Sequence, residues 1–309
     1  MTTATAFNAA SNTAHNAAST TISNEDFLAT VAKKSDGAAL RGDYKLADAQ
    51  YVVQQNWDRY TEAEHELWRK LYQRQEALLP GRACNEFIEA LHKMDAAGGI
   101  PDFEQTSAAL FKATGWCIVA VPGLIPEFTF FEHLANRRFP VTVWLRTPEE
   151  FNYIVEPDVF HDYFGHVPML FNPVFADYMQ LYGKGGLKAM GLGGLDYLAR
   201  LYWYTVEFGL INTPEGLRIY GAGILSSGGE VEYCLNSGTT SRHIHLDIQR
   251  CLRTLYKIDS YQESYFVINS FQELFDGTAP DFAPYYEKLK QLEALPADTL
   301  LAGEIELLA

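Results

Sequence analysis

Residues 159–168 read VFHDYFGHVP, so two histidines and an aspartate stand among large apolar side chains. His161 and His166 are five residues apart. On a regular α-helix this spacing places two side chains about 140° apart, because each residue turns the helix by about 100°. Both imidazoles can therefore reach one ion only if the helix is irregular here or if His161 lies at its start. Gly165 favours such an irregularity, because glycine tolerates backbone conformations that other residues avoid.

A second candidate ligand lies in LDYLARLYWYTVEFGL (195–210), which has the apolar periodicity of a helix. Trp203 and Glu207 are four residues apart and lie side by side at the edge of its apolar stripe. A carboxylate in this position is costly without a cation nearby. Glu207 is therefore expected either to pair with Arg200 or to bind a metal.

Two imidazoles and one carboxylate form the set that suits non-haem Fe(II) and leaves open positions for oxygen and substrate. Zinc accepts the same three donors and is a competing metal. In a simpler alternative, both histidines are core residues with satisfied hydrogen bonds and Glu207 lies in a salt bridge. Spacing alone leaves these alternatives open.

The composition of the 309-residue chain argues against several classes of function. Its formal charge of −15 disfavours nucleic acids and anionic membrane surfaces, both of which attract Lys and Arg. No apolar run approaches the ~18–20 residues that span a bilayer. The N-terminal residues lack the pattern of a signal peptide, so we expect a cytoplasmic protein. The four cysteines form no CxxC pair and are expected to be reduced, at Cys84, Cys117, Cys234 and Cys251.

The chain is expected to divide into a tail and one large domain. Residues 1–40 are poor in large apolar side chains, which predicts a disordered or weakly ordered tail with at most a short helix at 25–33. Residues 41–309 are expected to form one mainly α domain with a small β component. A capping box, Thr61 with Glu64, starts its first long helix. Further helices are predicted around 87–94 and at 105–114, 174–183, 195–210 and 243–257, and strands at 116–121, 139–146 and 265–268.

Three blocks of sequence resemble the pterin-dependent aromatic amino acid hydroxylases. They are EPDVFHDYFGHVP (156–168), LARLYWYTVEFGL (198–210) and YGAGILSS (220–227), and the resemblance extends over about 45–285. It is closest to the bacterial members that act on phenylalanine, which are single catalytic domains. The resemblance implies a helical basket with a little β structure, and iron ligands at His161, His166 and Glu207. It also implies conversion of L-phenylalanine to L-tyrosine with O2 and a tetrahydropterin, the first step of phenylalanine catabolism.

The resemblance further implies two sets of binding residues. Arg146 matches the arginine that holds the carboxylate of the substrate, which a planar guanidinium can bind through two hydrogen bonds. The other positions around the substrate are Tyr153, Trp203, Phe208, Gly223 and Ser226. The pterin-binding segment is VPGLIPEFTFF (121–131). The pterin-side residues are Gly123, Leu124 and Ile125 through their main chain, Phe130 through stacking, Asp162, and Tyr202 near the cofactor and iron.

Some features depart from the family pattern or leave alternatives. Asp162 stands where animal members commonly carry glutamate, and Pro140 stands where they carry a histidine near the pterin. No long heptad helix is apparent, so a monomer is expected. Tryptophan or tyrosine is the near alternative as substrate, and a zinc hydrolase with Asp162 as general base is a second class. A binding protein that has lost turnover is a third, and His243 with His245 is a rival ligand pair.

Overall fold

The computed structural model describes residues 40–304, 306 and 307. Residues 1–39 of the predicted tail lie outside the described residues, and so does the short helix predicted at 25–33. Among the described residues, no helix is both long and apolar enough to cross a membrane.

The first long helix begins where the capping box predicts. Thr61 accepts a hydrogen bond from the backbone of Glu64, whose side chain accepts one from the backbone of Thr61 in return, and the helix runs over Glu62–Leu78. The third helix ends at Gly115, whose left-handed backbone closes it as predicted. Eleven α-helices occur in the described part of the chain, in order: α1 Glu62–Leu78, α2 Asn85–Met94, α3 Phe103–Thr114, α4 Glu127–Ala135, α5 Pro173–Leu192, α6 Leu195–Tyr202, α7 Ala222–Leu225, α8 Glu230–Tyr233, α9 Ile248–Arg253, α10 Phe271–Thr278 and α11 Ala283–Leu289.

The strands form two small sheets. Strands β1 and β2 are parallel and are connected by α4, so one βαβ unit is present although the sequence shows no βαβ rhythm. The second sheet has the order β4-β3-β6-β5, in which only the β3–β4 pair is antiparallel. The strands are β1 Cys117–Val121, β2 Arg138–Thr142, β3 Leu210–Thr213, β4 Gly216–Ile219, β5 Arg242–His245 and β6 Ser264–Ile268.

One hydrophobic core connects the helices and both sheets. It extends along the chain from Leu67 in α1 to Leu289 in α11, and the mainly α single-domain architecture is confirmed. Its centre is aromatic: the ring of Phe160 stacks on Phe164 at 4.7 Å and meets the edge of Trp68 at 5.1 Å. The histidine-bearing segment is thus part of the central packing.

Four predicted elements have wrong boundaries. The helix predicted at 243–257 is β5 followed by the shorter α9, because residues 242–245 pair with β6, a contact distant in sequence. The strand predicted at 139–146 ends at Thr142, so Arg146 lies beyond it. The α-helix predicted at 195–210 ends at Tyr202 and is followed by a differently wound segment and by β3. Helix α5 is longer than the predicted 174–183.

Candidate metal centre and adjoining clefts

The segment that carries both histidines is a π-helix over Phe160–His166. A π-helix has hydrogen bonds between residues five apart, so it brings His161 and His166 to the same side. Their Nε2 atoms are 3.3 Å apart. Gly165 permits this segment to pack on α7, because a Cβ atom there would lie 2.9 Å from the carbonyl oxygen of Ala222. The irregularity predicted from the spacing is confirmed.

Glu207 ends a second π-helix, Trp203–Glu207, in which the backbone N–H of Phe208 donates to the carbonyl of Trp203 at 2.8 Å. The carboxylate of Glu207 lies 3.2 Å from Nε2 of His166 and 3.7 Å from Nε2 of His161. Arg200 does not neutralise it, because the Arg200 guanidinium donates to the carbonyl of Leu252 at 3.0 Å. The salt-bridge alternative for Glu207 with Arg200 is therefore wrong.

His161 and Glu207 have the protonation states that a metal requires. Burial lowers the pKa of His161 to about 4, so its imidazole is neutral at pH 7. Burial opposes ionisation of Glu207, but His166 outweighs it through charge and hydrogen bonding, and the pKa of Glu207 lies below its usual value. Oε2 of Glu207 is buried without a hydrogen-bond partner. Among the described residues these three form the one group of potential metal ligands, within 4.8 Å of one another, and their chemistry fits Fe(II).

Ser226 orients the first of these imidazoles. Its hydroxyl lies 2.9 Å from Nδ1 of His161 and donates to the carbonyl of Ala222, also at 2.9 Å. Because the hydroxyl hydrogen is used on Ala222, Oγ accepts from Nδ1–H, and the lone pair on Nε2 is left for a metal. Ser226 is only 1% exposed. These contacts place Ser226 behind the His161 imidazole, whereas the family resemblance implies a position around the substrate.

Arg146 is held by a buried carboxylate that the sequence analysis did not single out. Nε and Nη2 of Arg146 donate to the two carboxylate oxygens of Asp158 at 2.8 and 2.9 Å. Asp158 also accepts the backbone N–H of His161 at 3.0 Å, so it couples the arginine to the metal-binding segment. Burial opposes the charge of Asp158, but Arg146 brings the pKa of this carboxyl below its usual value. An aspartate directly after Pro157, three residues before His161, was the available sequence signal.

A second guanidinium makes the surroundings of Arg146 net positive. Burial, together with the nearby charge of Arg146, lowers the pKa of Arg74 to about 10. Arg74 donates to the carbonyls of Phe151 at 2.9 Å and Ser226 at 3.3 Å. Two cations thus share the single charge of Asp158, which favours an added carboxylate.

The predicted pterin-binding segment is the turn between β1 and α4, and it lines a cleft. Gly123 in this turn has a φ of 150°, a backbone conformation that L side chains rarely adopt and that favours glycine. Phe130 offers a half-buried ring, and Asp162 accepts the backbone N–H of Thr142 at 2.8 Å. Burial raises the pKa of Asp162 to about 7. The cleft is lined by Val121, Gly123, Leu124, Ile125, Glu127, Phe130, Pro140, Thr142, Pro157 and Asp162.

This cleft fits a flat heterocycle with polar edges. Gly123, Leu124 and Ile125 line it together with Phe130, whose ring supplies a stacking surface. Tyr202 connects the cleft to the metal centre, since its ring centroid lies 5.9 Å from that of Phe130 and 6.3 Å from that of His166. The six residues predicted on the pterin side therefore lie together beside the ligands.

The remaining predicted substrate residues lie in two environments, one buried beside Glu207 and one exposed. Trp203 and Phe208 are fully buried, with ring centroids 4.7 Å apart, next to the ligand Glu207. Gly223 lets α7 approach them, because a Cβ atom there would lie 2.9 Å from the Phe208 ring. Tyr153 is 37% exposed in the loop before the metal-binding segment, so its substrate contact stays a prediction.

The rival pair His243 and His245 does not form a site. His243 is buried and its Nε2 lies 2.6 Å from the carbonyl of Cys234, whereas His245 is exposed and contacts Glu273 at 3.0 Å.

Comparisons with known proteins show the family of the chain. A sequence profile described as biopterin-dependent aromatic amino acid hydroxylase matches residues 18–292. The chain belongs to this family, as the three sequence blocks predicted.

Within the family, the relatives include phenylalanine-4-hydroxylases. The chain is 57% identical over 270 residues to that of Ralstonia nicotianae, covering 87% of this chain and 84% of that protein. It is 58% identical over 258 residues to that of Chromobacterium violaceum, covering 83% and 86%. The iron- and phenylalanine-bound crystal structure of phenylalanine hydroxylase from Chromobacterium violaceum aligns with a TM-score of 0.81 at 57% identity, over 84% of this chain and 96% of that one.

Proposed function

We propose that this chain is a phenylalanine 4-monooxygenase that converts L-phenylalanine and O2 to L-tyrosine at a non-haem Fe(II) centre with a tetrahydropterin as co-substrate. One oxygen atom enters the aromatic ring and the other leaves on the pterin. The observation that carries the proposal is the convergence of His161, His166 and Glu207 beside the cleft of the Gly123–Ile125 turn. When bound, Fe(II) and the tetrahydropterin supply the electrons that activate oxygen.

The protein holds the metal through a prearranged donor set. Ser226 fixes the tautomer of His161, and both π-helical segments set the directions of the ligands. Each of the three side chains offers one ligand atom. An octahedral ion would therefore keep further positions for oxygen and substrate. Burial of all three ligands keeps bulk water away from the reacting atoms.

The amino acid is oriented by its charged end and by its ring. Asp158 accepts hydrogen bonds from Nε and from one hydrogen of Nη2 on Arg146. The edge of the guanidinium formed by Nη1 and the other Nη2 hydrogen is therefore directed away from Asp158. We assign this edge to the carboxylate of phenylalanine, with the charge of Arg74 as support. Trp203 and Phe208 provide apolar ring surface for the side chain of the substrate, next to Glu207.

The pterin is assigned to the adjoining cleft. Backbone groups of the Gly123–Ile125 turn, other than the Leu124 carbonyl that accepts the hydroxyl of Tyr44, pair with its polar edge, and Phe130 stacks on its ring. Asp162 lies on the metal side of the same cleft and next to His161 in sequence.

One experiment tests the activity and its alternatives together. The purified chain is loaded anaerobically with Fe(II) or Zn(II), its metal content is measured, and it is given O2, tetrahydrobiopterin and equal amounts of phenylalanine, tyrosine and tryptophan. We expect tyrosine formation from phenylalanine with iron only, and oxygen consumption only with the pterin. Preferential hydroxylation of tryptophan or tyrosine would refute the substrate. Activity with zinc and without pterin would indicate a hydrolase, and phenylalanine binding without product would indicate a binding protein.

The proposal includes a monomeric, cytoplasmic enzyme whose catalytic domain spans 41–309. The four cysteines are unpaired in the structure, as expected in a reducing compartment. Sedimentation of the iron-loaded chain at several concentrations tests the monomer, and limited proteolysis tests the domain boundary near residue 40.

A further inference from the structure

Residues 40–53 cross the outer side of the turn that lines the pterin cleft. We infer that this segment, here called the strap, holds the Gly123–Ile125 turn in its cofactor-binding shape and that Tyr44 is a positioning residue for the pterin. The inference rests on the proposed function, because it assigns the cleft to a pterin. Four groups of contacts carry it.

The apolar side chains of the turn pack on the strap. Leu124 and Ile125 form a small hydrophobic cluster with Tyr44, Tyr51 and Leu40, which is separate from the main core. Tyr44 is only 6% exposed. The two turn residues that line the cleft therefore depend on the strap for their side-chain packing.

Tyr44 also fixes the main chain of the turn. Its hydroxyl donates to the carbonyl oxygen of Leu124 at 2.9 Å. In a trans peptide the C=O of one residue and the N–H of the next point in opposite directions within one rigid plane. Holding the Leu124 carbonyl toward the strap therefore directs the N–H of Ile125 away from the strap.

The strap approaches the turn so closely that one residue must be glycine. A Cβ atom on Gly42 would lie 1.7 Å from the carbonyl oxygen of Pro122. That same carbonyl accepts the indole N–H of Trp144 at 3.1 Å, and the guanidinium of Arg41 lies 5.0 Å from the Trp144 ring centroid. Arg41 in addition forms an ion pair with Glu150.

The far end of the strap is attached to the elements that flank the turn. The backbone N–H of Val53 donates to the carbonyl of Ala120 in β1 at 2.9 Å. The carbonyl of Gln50 lies 2.9 Å from Nε2 of His133 in α4. The strap thus connects the strand before the turn to the helix after it.

The central test is Tyr44→Phe in the full chain, which removes one hydroxyl and keeps the ring. The probe is 7,8-dihydrobiopterin, whose binding to the iron-loaded protein is measured by calorimetry. We expect about fivefold weaker binding, as the loss of one hydrogen bond predicts. Phenylalanine binding and iron content should be unchanged. Hydrogen exchange of the Leu124 and Ile125 amides, measured without any pterin, should become faster.

A matched control is Tyr204→Phe, which removes a tyrosine hydroxyl that donates to the carbonyl of Leu255 at 2.6 Å, away from the cleft. It should leave pterin binding and the exchange of Leu124 unchanged. A second strap variant, Gly42→Ala, forces the strap off Pro122 and should weaken pterin binding in the same direction.

The outcomes separate the strap from the proposed function. Unchanged pterin affinity and unchanged amide exchange in Tyr44→Phe would overturn the inference that the strap holds the turn, even in an active enzyme. Weaker pterin binding in this variant would support the inference about the strap, even if the unaltered chain hydroxylated no amino acid. If the unaltered chain bound no 7,8-dihydrobiopterin, both the strap and the pterin assignment would be overturned.

Discussion

Arg146 and Asp158 face each other edge to edge, with two side-chain hydrogen bonds of 2.8 and 2.9 Å and almost no exposure of either side chain. This pairing leaves one edge of the guanidinium for a second carboxylate and prevents it from rotating. The position of the group that we assign to the substrate carboxylate is therefore set by a residue that need not touch the substrate.

We predict that Asp158→Asn impairs both substrate binding and folding. Removing one partner of a buried ion pair leaves an unpaired charge, which costs on the order of 3 kcal/mol. The affinity for phenylalanine should fall by about tenfold or more, measured by calorimetry, and the melting temperature should drop. Glu150→Gln, which breaks the partly exposed pair with Arg41, should cost less than about 1 kcal/mol. Equal effects of the two substitutions would contradict the prediction.

Arg146→Lys should weaken phenylalanine binding more than iron binding. Lysine keeps the charge but cannot make two parallel hydrogen bonds to Asp158 and present a second edge. Parallel titrations with phenylalanine and Fe(II) measure the two affinities. Equal losses in both would indicate that Arg146 has only a structural role.

Removing either imidazole should abolish iron retention and hydroxylation. His161→Ala or His166→Ala leaves two donors of a three-donor site, and metal analysis after anaerobic loading and desalting should find little iron. His245→Ala, at an exposed position on β5, is the control and should retain iron fully. Near-normal activity in either ligand variant would refute the assignment of the site.

Ser226→Ala should weaken iron binding without removing a ligand. The substitution releases Nδ1–H of His161, so the imidazole can adopt the other tautomer and rotate. We expect about 10- to 100-fold lower iron affinity in competition with a chelator, and partial recovery in Ser226→Thr. Unchanged iron affinity with a loss of phenylalanine affinity would instead support direct substrate contact by Ser226.

Glu230 should make the stability of the fold depend on pH. This carboxyl is buried, and burial raises its pKa from 4.5 to about 7. The folded state therefore binds more protons than the unfolded state between these values, so Glu230 lowers stability as pH rises through this window, by up to about 3 kcal/mol above pH 7. Glu230→Gln should flatten the dependence of melting temperature on pH between 5 and 8, whereas Glu232→Gln, at an exposed position of the same helix, should not. An unchanged slope in Glu230→Gln would contradict a raised pKa.

Local signals explain what the sequence predicts well. The capping box at Thr61 and the left-handed stop at Gly115 depend on neighbouring residues only, and both helix ends lie where predicted. The distortion near His161 was predictable because two ligands five residues apart cannot share a face of an α-helix. The second π-helix, Trp203–Glu207, contains no glycine or proline, and its residues have ordinary α-helical periodicity. Its winding was therefore not predictable from the sequence.

The missed features depend on residues far apart in the chain. The sequence predicts a helix where β5 lies, because the pairing that makes β5 a strand is with β6, about 20 residues later. Asp158 pairs with Arg146, 12 residues before it, and this pairing shows its role. Ser226 is predicted near the substrate, and its contact with His161, 65 residues away in sequence, depends on the fold. The strap has no periodicity, and its function depends on a turn about 80 residues away.

Both ligand-bearing segments contain one residue more per turn than an α-helix. If the first segment adopted ordinary α-helical winding at its present length, His161 and His166 would point about 140° apart. The winding of this stretch is consequently as strict a constraint as the identity of its residues. A substitution that relaxes the π-helix would therefore separate the two imidazoles while leaving both histidines in the sequence.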